Sequence, residues 1–558
     1  MLVHNPVLRG FNPDPCLCCA RGVYYMATST FQWVPGVSIY ASDDLAHWRC
    51  LGGALTGIDL RGVPDSAGIW APDLTFDGTR FWLVYTVCKQ IDGIFKDVEN
   101  YAICAENIEG PWSEPMFVNA SGFDPGMFHE DGRHYVLNPQ WDPRSLPGHH
   151  RFNGLVMQEF TLGDGLVGEA QLVLGNSDAV NWLREGPHIM KRNGWYYIAC
   201  AEGGTGRRHR IRMARSRSLW GPYEMDADPL VTSWCQDVPL RRAGHGNLLQ
   251  ADDGAWYVCH LCSRYLDEGE RRGAFGEHEA GVSPLGRETA LQRVVWRDGW
   301  PRLADGGIAP YEYVEISGAS ECACDNVPSA GEPGFQYRAE FSSVDCLWRD
   351  GWMVPRHIDK EALQVADGML MLAGGDSPSS WFDRSCLSRR VLSHAWYASV
   401  SCALEPVHYN QSAGLICEYD ARAFAYVHLG LDEAEGCRVV DVLTCANGEF
   451  QALLGAAGRL RVPAEVAWVR LGVAADGAAM RFYAAWEGEP LQPLLDASGT
   501  PLAWDASVMS DERIDGWAYT GQMIGVTCVD MWDKTASARM RAFEYGDGDH
   551  GGVWTCVR

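Results

Sequence analysis

The chain has 558 residues, 47% of them hydrophobic and 21% charged, the balance of a globular protein long enough for two cores. Forty-six Lys and Arg stand against 72 Asp and Glu, a formal net charge of -26 that repels phosphate backbones and anionic lipid surfaces. Nucleic acid and membrane are therefore excluded as expected partners.

The opening "MLVHNPVLRG" has no basic stretch followed by an apolar run, so export by a signal peptide is not expected. Twenty cysteines are scattered through strand-like runs such as "YYIACAE" and "WYVCHLC" without the spacing of a disulfide scaffold. Free buried thiols and a cytoplasmic location are expected. Next comes "FNPDP" (11–15), where two prolines restrict the backbone around Asp14 and an extended, stiff segment is expected. Taken alone it is a turn. In "CLCC", Cys18 and Cys19 alternate across a strand and point apart, which argues against a zinc site there.

A turn glycine followed by an aromatic-rich strand then recurs five times: "RGVYYMATS", "DGTRFWLVYT", "DGRHYVLNP", "NGWYYIACAE" and "DGAWYVCHL". The glycines, Gly22, Gly78, Gly132, Gly194 and Gly254, lie on the order of 60 residues apart, room for one four-stranded sheet per repeat. The expected architecture is all-β, a five-bladed β-propeller over 1–316. Ahead of each turn stands a short apolar segment led by a polar residue: Asp14, Asp73, Asp124, Glu185 and His245. If these segments are the innermost strands, four carboxylates and a histidine converge on the central channel, either to do chemistry or only to hydrate it. Residues 317–334, rich in small residues, Gly and Pro, read as a linker. Short strand-like runs from 335 to 558 read as a β-sandwich of jelly-roll, concanavalin-like form.

Cleaving a glycosidic bond needs one protonated and one ionised carboxyl group, and converging like charges with burial are the ordinary way to separate two carboxyl pKa values. The same residue types could equally cage a hard cation such as calcium.

The segments "NPVLRGFNPDP", "GIWAPDL", "SGFDPGMF", "EGPHIMKRNGWYYI", "AEGGT", "AGHGNLL" and "SPLGRETALQ" resemble, in order and spacing, the signature segments of family 43 glycoside hydrolases, in the β-xylosidase branch. The resemblance implies inverting release of xylose from the non-reducing end of β-1,4-xylo-oligosaccharides, with α-L-arabinofuranosidase activity as the alternative and a non-catalytic sugar-binding propeller as the reading from another class. It implies Asp14 as general base, Glu185 as general acid, and Asp124 as the carboxylate that orients the acid and keeps its pKa high. Phe31, Trp70, Thr205, Arg287 and His245 are implied as sugar-pocket residues. No cofactor is required on this reading, although a cation, calcium in the channel near His245, is left open, as is a homo-oligomeric state. The partner is the xylo-oligosaccharide or an arabinose-containing oligosaccharide. Cys16 and Gly126 depart from the family pattern, which puts the shape of the pocket in question. The stretch "YTGQMIG" (519–525) is the expected loop from the sandwich that closes the pocket, with Met523 where relatives often have an aromatic residue.

Overall fold

The computed structural model describes residues 1–144, 151–272, 278–319 and 334–548. Five antiparallel sheets of four or five strands follow one another in chain order, opening with the strands Cys16–Ala20, Gly68–Phe76, Gly126–Glu130, Arg184–Arg192 and Leu240–Gly244. The first four opening strands, and Leu248–Gln250 in the fifth sheet, turn back through the repeat glycines, all of which hold a positive φ, from 71° at Gly194 to 97° at Gly78. A side chain with a Cβ adopts that conformation only at a cost, which is why the repeat is legible as glycine. The opening strands pack against those of neighbouring sheets, so the sheets stand radially around one axis: a five-bladed propeller.

The ring closes through the N-terminal segment. Leu2–His4 pairs with Tyr313–Glu315, and Leu8 bridges Thr289 in the fifth blade. The Asn5 side chain donates to Leu291 O at 2.8 Å and accepts from Leu291 N at 2.9 Å, imitating one rung of a ladder. Asn12 N donates to Arg287 O at 2.8 Å, which fixes the segment carrying Asp14 against the strand Glu288–Arg297.

Two further sheets, one of nine strands and one of seven among the described residues, face each other across a core that includes Leu415, Val427, Leu471 and Phe482. This is the expected sandwich, and its strands begin with Gln336–Arg338. Of the expected linker, 320–333 lie outside the described residues. The sandwich is keyed to the propeller by side chains taken almost wholly out of water: Arg242 Nη1 to Asp511 Oδ2 at 2.6 Å, Arg356 Nη2 to Asp65 Oδ1 at 2.6 Å, and Arg390 Nη2 to Ser38 Oγ at 2.8 Å. Buried pairs of this kind add little net stability but are costly to break, so they fix how the two parts register. Val354–Pro355 also pairs with Trp33–Val34 of the first blade. The consequence for function is that the segment around Tyr519 is held over the mouth of the channel.

Candidate active site

The expected extended conformation at Asp14 is not what forms. Asp14 lies at φ 53°, in the left-handed region, as do Asp124 at 48° and His245 at 45°. Asp is among the residues that tolerate this region, and the turn it makes between Pro13 and Pro15 aims the carboxylate into the channel. Asp14 Oδ1 accepts from Arg287 Nη1 at 3.0 Å and Oδ2 from Ser29 Oγ at 2.6 Å. Burial pushes the Asp14 pKa up, but the Arg287 charge, reinforced by the Ser29 hydroxyl, wins and holds it below the usual carboxylate value. His245 Nδ1, 3.8 Å from Oδ1, adds little at neutral pH, because burial depresses its own pKa to about 4.

Glu185 faces the opposite balance. Burial leads, the Asp14 charge follows, and together they raise its pKa to about 7 against the opposing charges of Lys96 and Arg287. Asp124 is pushed well above its ordinary value by burial, then by Glu185 and Asp14, while accepting a hydrogen bond from the backbone of Gly186. Glu185 and Asp124 are thus both held toward the neutral form by burial and by the carboxylates around them. At and below neutral pH an ionised Asp14 therefore faces a Glu185 held toward its protonated form.

Asp14, Asp124, Glu185, Phe31, Trp70, Thr205, Arg287 and His245 all line a single cavity of about 190 Å³. The fifth expected spoke does not join them. Asp73 lies behind the cavity wall, where Oδ2 accepts from Met127 N at 2.7 Å and Oδ1 meets Cys16 Sγ at 2.9 Å and His188 Nδ1 at 3.1 Å. The reason is local: Asp73 sits well inside its strand rather than at the strand's start, so its side chain points toward the neighbouring blade. One carboxylate with both oxygens engaged, beside a thiol and an imidazole, does not fit calcium, which takes six to eight oxygen ligands. Neither departure from the family pattern reaches the cavity wall. Cys16 points to Asp73, and at Gly126 a Cβ would stand 1.9 Å from Pro187 O, so a side chain fits here only if this backbone crossing shifts.

Residues that the sequence reading missed complete the wall: Lys96, Phe123, Trp141, His209, Trp517 and Tyr519. Lys96 Nζ lies 5.0 to 5.5 Å from the ring centres of Trp141, Trp70, Phe123 and Trp517, a cationic group held among four aromatic faces. The sandwich contributes the closing side. Arg287 Nη2 donates to Tyr519 O at 3.0 Å, Tyr519 N to Ser66 Oγ at 2.9 Å, and Trp517 Nε1 to Asp92 Oδ1 at 2.6 Å. Met523, the residue expected to reach the pocket, is instead fully buried at the start of the strand Met523–Asp530, packed in the cluster of Phe31 and Trp33. Tyr519, at the head of the same stretch, takes the place at the cavity.

A propeller channel with two buried carboxyl groups in opposite states and an aromatic wall is the site of a glycoside-cleaving enzyme. The model of "Glycosyl hydrolases family 43" matches residues 3–301, and that of "Beta xylosidase C-terminal Concanavalin A-like domain" matches 338–546. The chain belongs to glycosyl hydrolase family 43. It is similar to "Xylosidase/arabinosidase 43B" of Humicola insolens, 37% identical over 98% of each chain, and to "Beta-xylosidase" of Bacillus subtilis (strain 168), 34% identical over 98% of this chain and 99% of the other. The crystal structure of xylan beta-1,4-xylosidase from Bacillus halodurans C-125 superposes with a TM-score of 0.88 at 35% identity, over 98% of this chain and all of the other.

Proposed function

We propose that the protein is an exo-acting, inverting β-xylosidase that removes single xylose units from the non-reducing end of β-1,4-xylo-oligosaccharides. The observation that carries this reading is the pairing of a depressed Asp14 with a raised Glu185 on the wall of one cavity. Asp14 takes a proton from the attacking water, and Glu185 gives its proton to the departing glycosidic oxygen. Asp124 positions the acid through Gly186. Arg287 keeps the base ionised and, with Thr205, Phe31, Trp70 and His245, holds the sugar ring. At about 190 Å³ the cavity is smaller than the roughly 300–1,000 Å³ of drug-sized ligand sites, room for one pentose rather than a chain passing through. That size supports exo action. Rapid loss of viscosity from polymeric xylan with mixed early oligomers would contradict it.

The names of the similar proteins support xylose as the sugar removed, and the paired name of the Humicola insolens protein supports α-L-arabinofuranosidase activity as the second reading. Comparing kcat/KM on an aryl β-xyloside and an aryl α-L-arabinofuranoside separates the two. The proposal expects the xyloside to be preferred; a preference for the furanoside overturns it. Hydrolysis by these carboxyl groups needs no cofactor, so EDTA is expected to leave the rate unchanged. A cytoplasmic location is also proposed, supported by the free thiols of all described cysteines; finding the protein in the culture medium of its source would refute this.

A further inference from the structure

The sandwich carries a second cavity, of about 340 Å³, on the outer face of its seven-stranded sheet. Along Gln411–Asp420 and Ala423–Asp432 the residues Ala413, Leu415, Ala425, Val427 and Leu429 point into the sandwich core. The alternate set, Ser412, Tyr426, His428 and Gly430, therefore faces outward. Small residues at Ser412 and Gly430 leave a hollow beside the larger ones. Its floor is the stacked pair Tyr426 and His428, ring centres 4.6 Å apart, with Asp441 opposite His428 in register on the next strand.

The polar groups around this hollow are held in place but not used up. Asp441 Oδ1 accepts from Val442 N at 2.8 Å and Oδ2 from Arg459 Nε at 2.7 Å, which leaves each oxygen one lone pair, while Arg459 Nη2 and the Asn410 side-chain amide have no hydrogen-bond partner among the described residues. At the rim Tyr409 is 60% exposed and leans on His408 with the rings tilted by 33°, and His408 stacks on Trp532, itself 61% exposed. The Met531 N to Asn410 O hydrogen bond, 3.0 Å, ties the two rim loops together. An exposed aromatic strip beside a fixed carboxylate–guanidinium pair and a free amide is the combination that binds a sugar chain: ring faces take the C–H surface, and planar polar groups take the hydroxyls.

We propose that this cavity is a second, non-catalytic binding site for β-linked xylose oligomers, with Tyr409 as the platform and Asn410, Asp441 and Arg459 as hydroxyl partners. The choice of xylose rests on the function proposed above; the site itself rests on the geometry of the sandwich. Met523 at one end of its strand packs beside the catalytic pocket, and Val529 near the other end lines this cavity. Six residues at about 3.4 Å each put Val529 roughly 20 Å along the strand from Met523, so a long chain held here keeps its neighbours' ends concentrated near the catalytic mouth.

The test is affinity electrophoresis of the full chain in native gels containing soluble xylan, in an Asp14→Ala background so that chain ends are not consumed. The unmodified sandwich is expected to be retarded by xylan, and Tyr409→Ala and Asn410→Ala to weaken the retardation at least fivefold. In the otherwise wild-type protein these same changes leave kcat/KM on an aryl β-xyloside within twofold, which also establishes that they fold. Retardation unchanged by both substitutions, or absent throughout, overturns the proposal. So does a shift from larger to smaller assemblies in sedimentation on Tyr409→Ala, which would make a second copy the occupant. Failure of the parent reading is seen separately, as wild-type protein that does not hydrolyse the aryl β-xyloside.

Discussion

Replacing Arg287 with Met tests how the site sets the state of its base. The guanidinium lies 3.0 Å from Asp14 Oδ1, and both side chains are almost wholly out of water. Two unit charges at that separation, in an effective dielectric of about 20, interact by about 5.5 kcal/mol, or about four pKa units at 1.36 kcal/mol each. Ser29 still donates to Oδ2, and water enters the space the guanidinium leaves, so an upward shift of about two units at Asp14 is expected. The sign follows from the roles. Asp14 must be ionised, so activity is present above its pKa and lost as pH falls through it; Glu185 must be protonated, so activity is lost as pH rises through about 7. Arg287 also restrains Glu185, though less than it does Asp14, so the variant moves the acid limb up strongly and the alkaline limb up slightly. Profiles of kcat/KM for an aryl β-xyloside between pH 2.5 and 9, with circular dichroism to verify folding, read both limbs. An acid limb that stays where it is in Arg287→Met would refute the assignment of this arginine as the group that keeps Asp14 charged.

Further expectations follow from the same geometry. Glu185→Ala is expected to lose far more activity on xylobiose than on an aryl xyloside with an acidic leaving group, because a good leaving group needs little protonation; equal losses on both count against Glu185 as the acid. Gly126→Ser drives a side chain into Pro187 O and costs about 1–3 kcal/mol, seen as a fall of several degrees in Tm; unchanged melting speaks against the crossing described here. Trp517→Ala removes the 2.6 Å link to Asp92 and one face around Lys96, so KM for xylobiose rises roughly tenfold, about 1.4 kcal/mol, with kcat little changed. A fall in kcat alone would place Trp517 in the chemistry rather than in the wall.

The propeller and its converging carboxylates were legible because both rest on short-range signals repeated along the chain: a glycine that must take positive φ, and a polar residue leading the short apolar segment ahead of it. Asp73 broke the pattern for a reason the repeat conceals, since its place within the strand, not its residue type, decides which way it points. The missed half of the wall comes from elsewhere. Lys96 sits between two strands of the second blade, and Tyr519 arrives from the sandwich through a docking fixed by buried pairs such as Arg242–Asp511. No local pattern marks such residues, although the alternation of Trp517 and Tyr519 ahead of the strand Met523–Asp530 puts two aromatic rings on one side of an extended segment. Met523 was the wrong choice within that stretch because it already belongs to the strand, where its side of the pleat is committed to the core.

The assignment of Asp14 as base and Glu185 as acid is tested most directly by proton NMR of the first sugar released from a β-linked xyloside, before mutarotation mixes the anomers. Water activated by Asp14 attacks the face opposite the leaving group, so α-xylose is expected first. Initial appearance of β-xylose would mean a retained configuration, with Asp14 acting as a nucleophile or not at all, and would contradict the account.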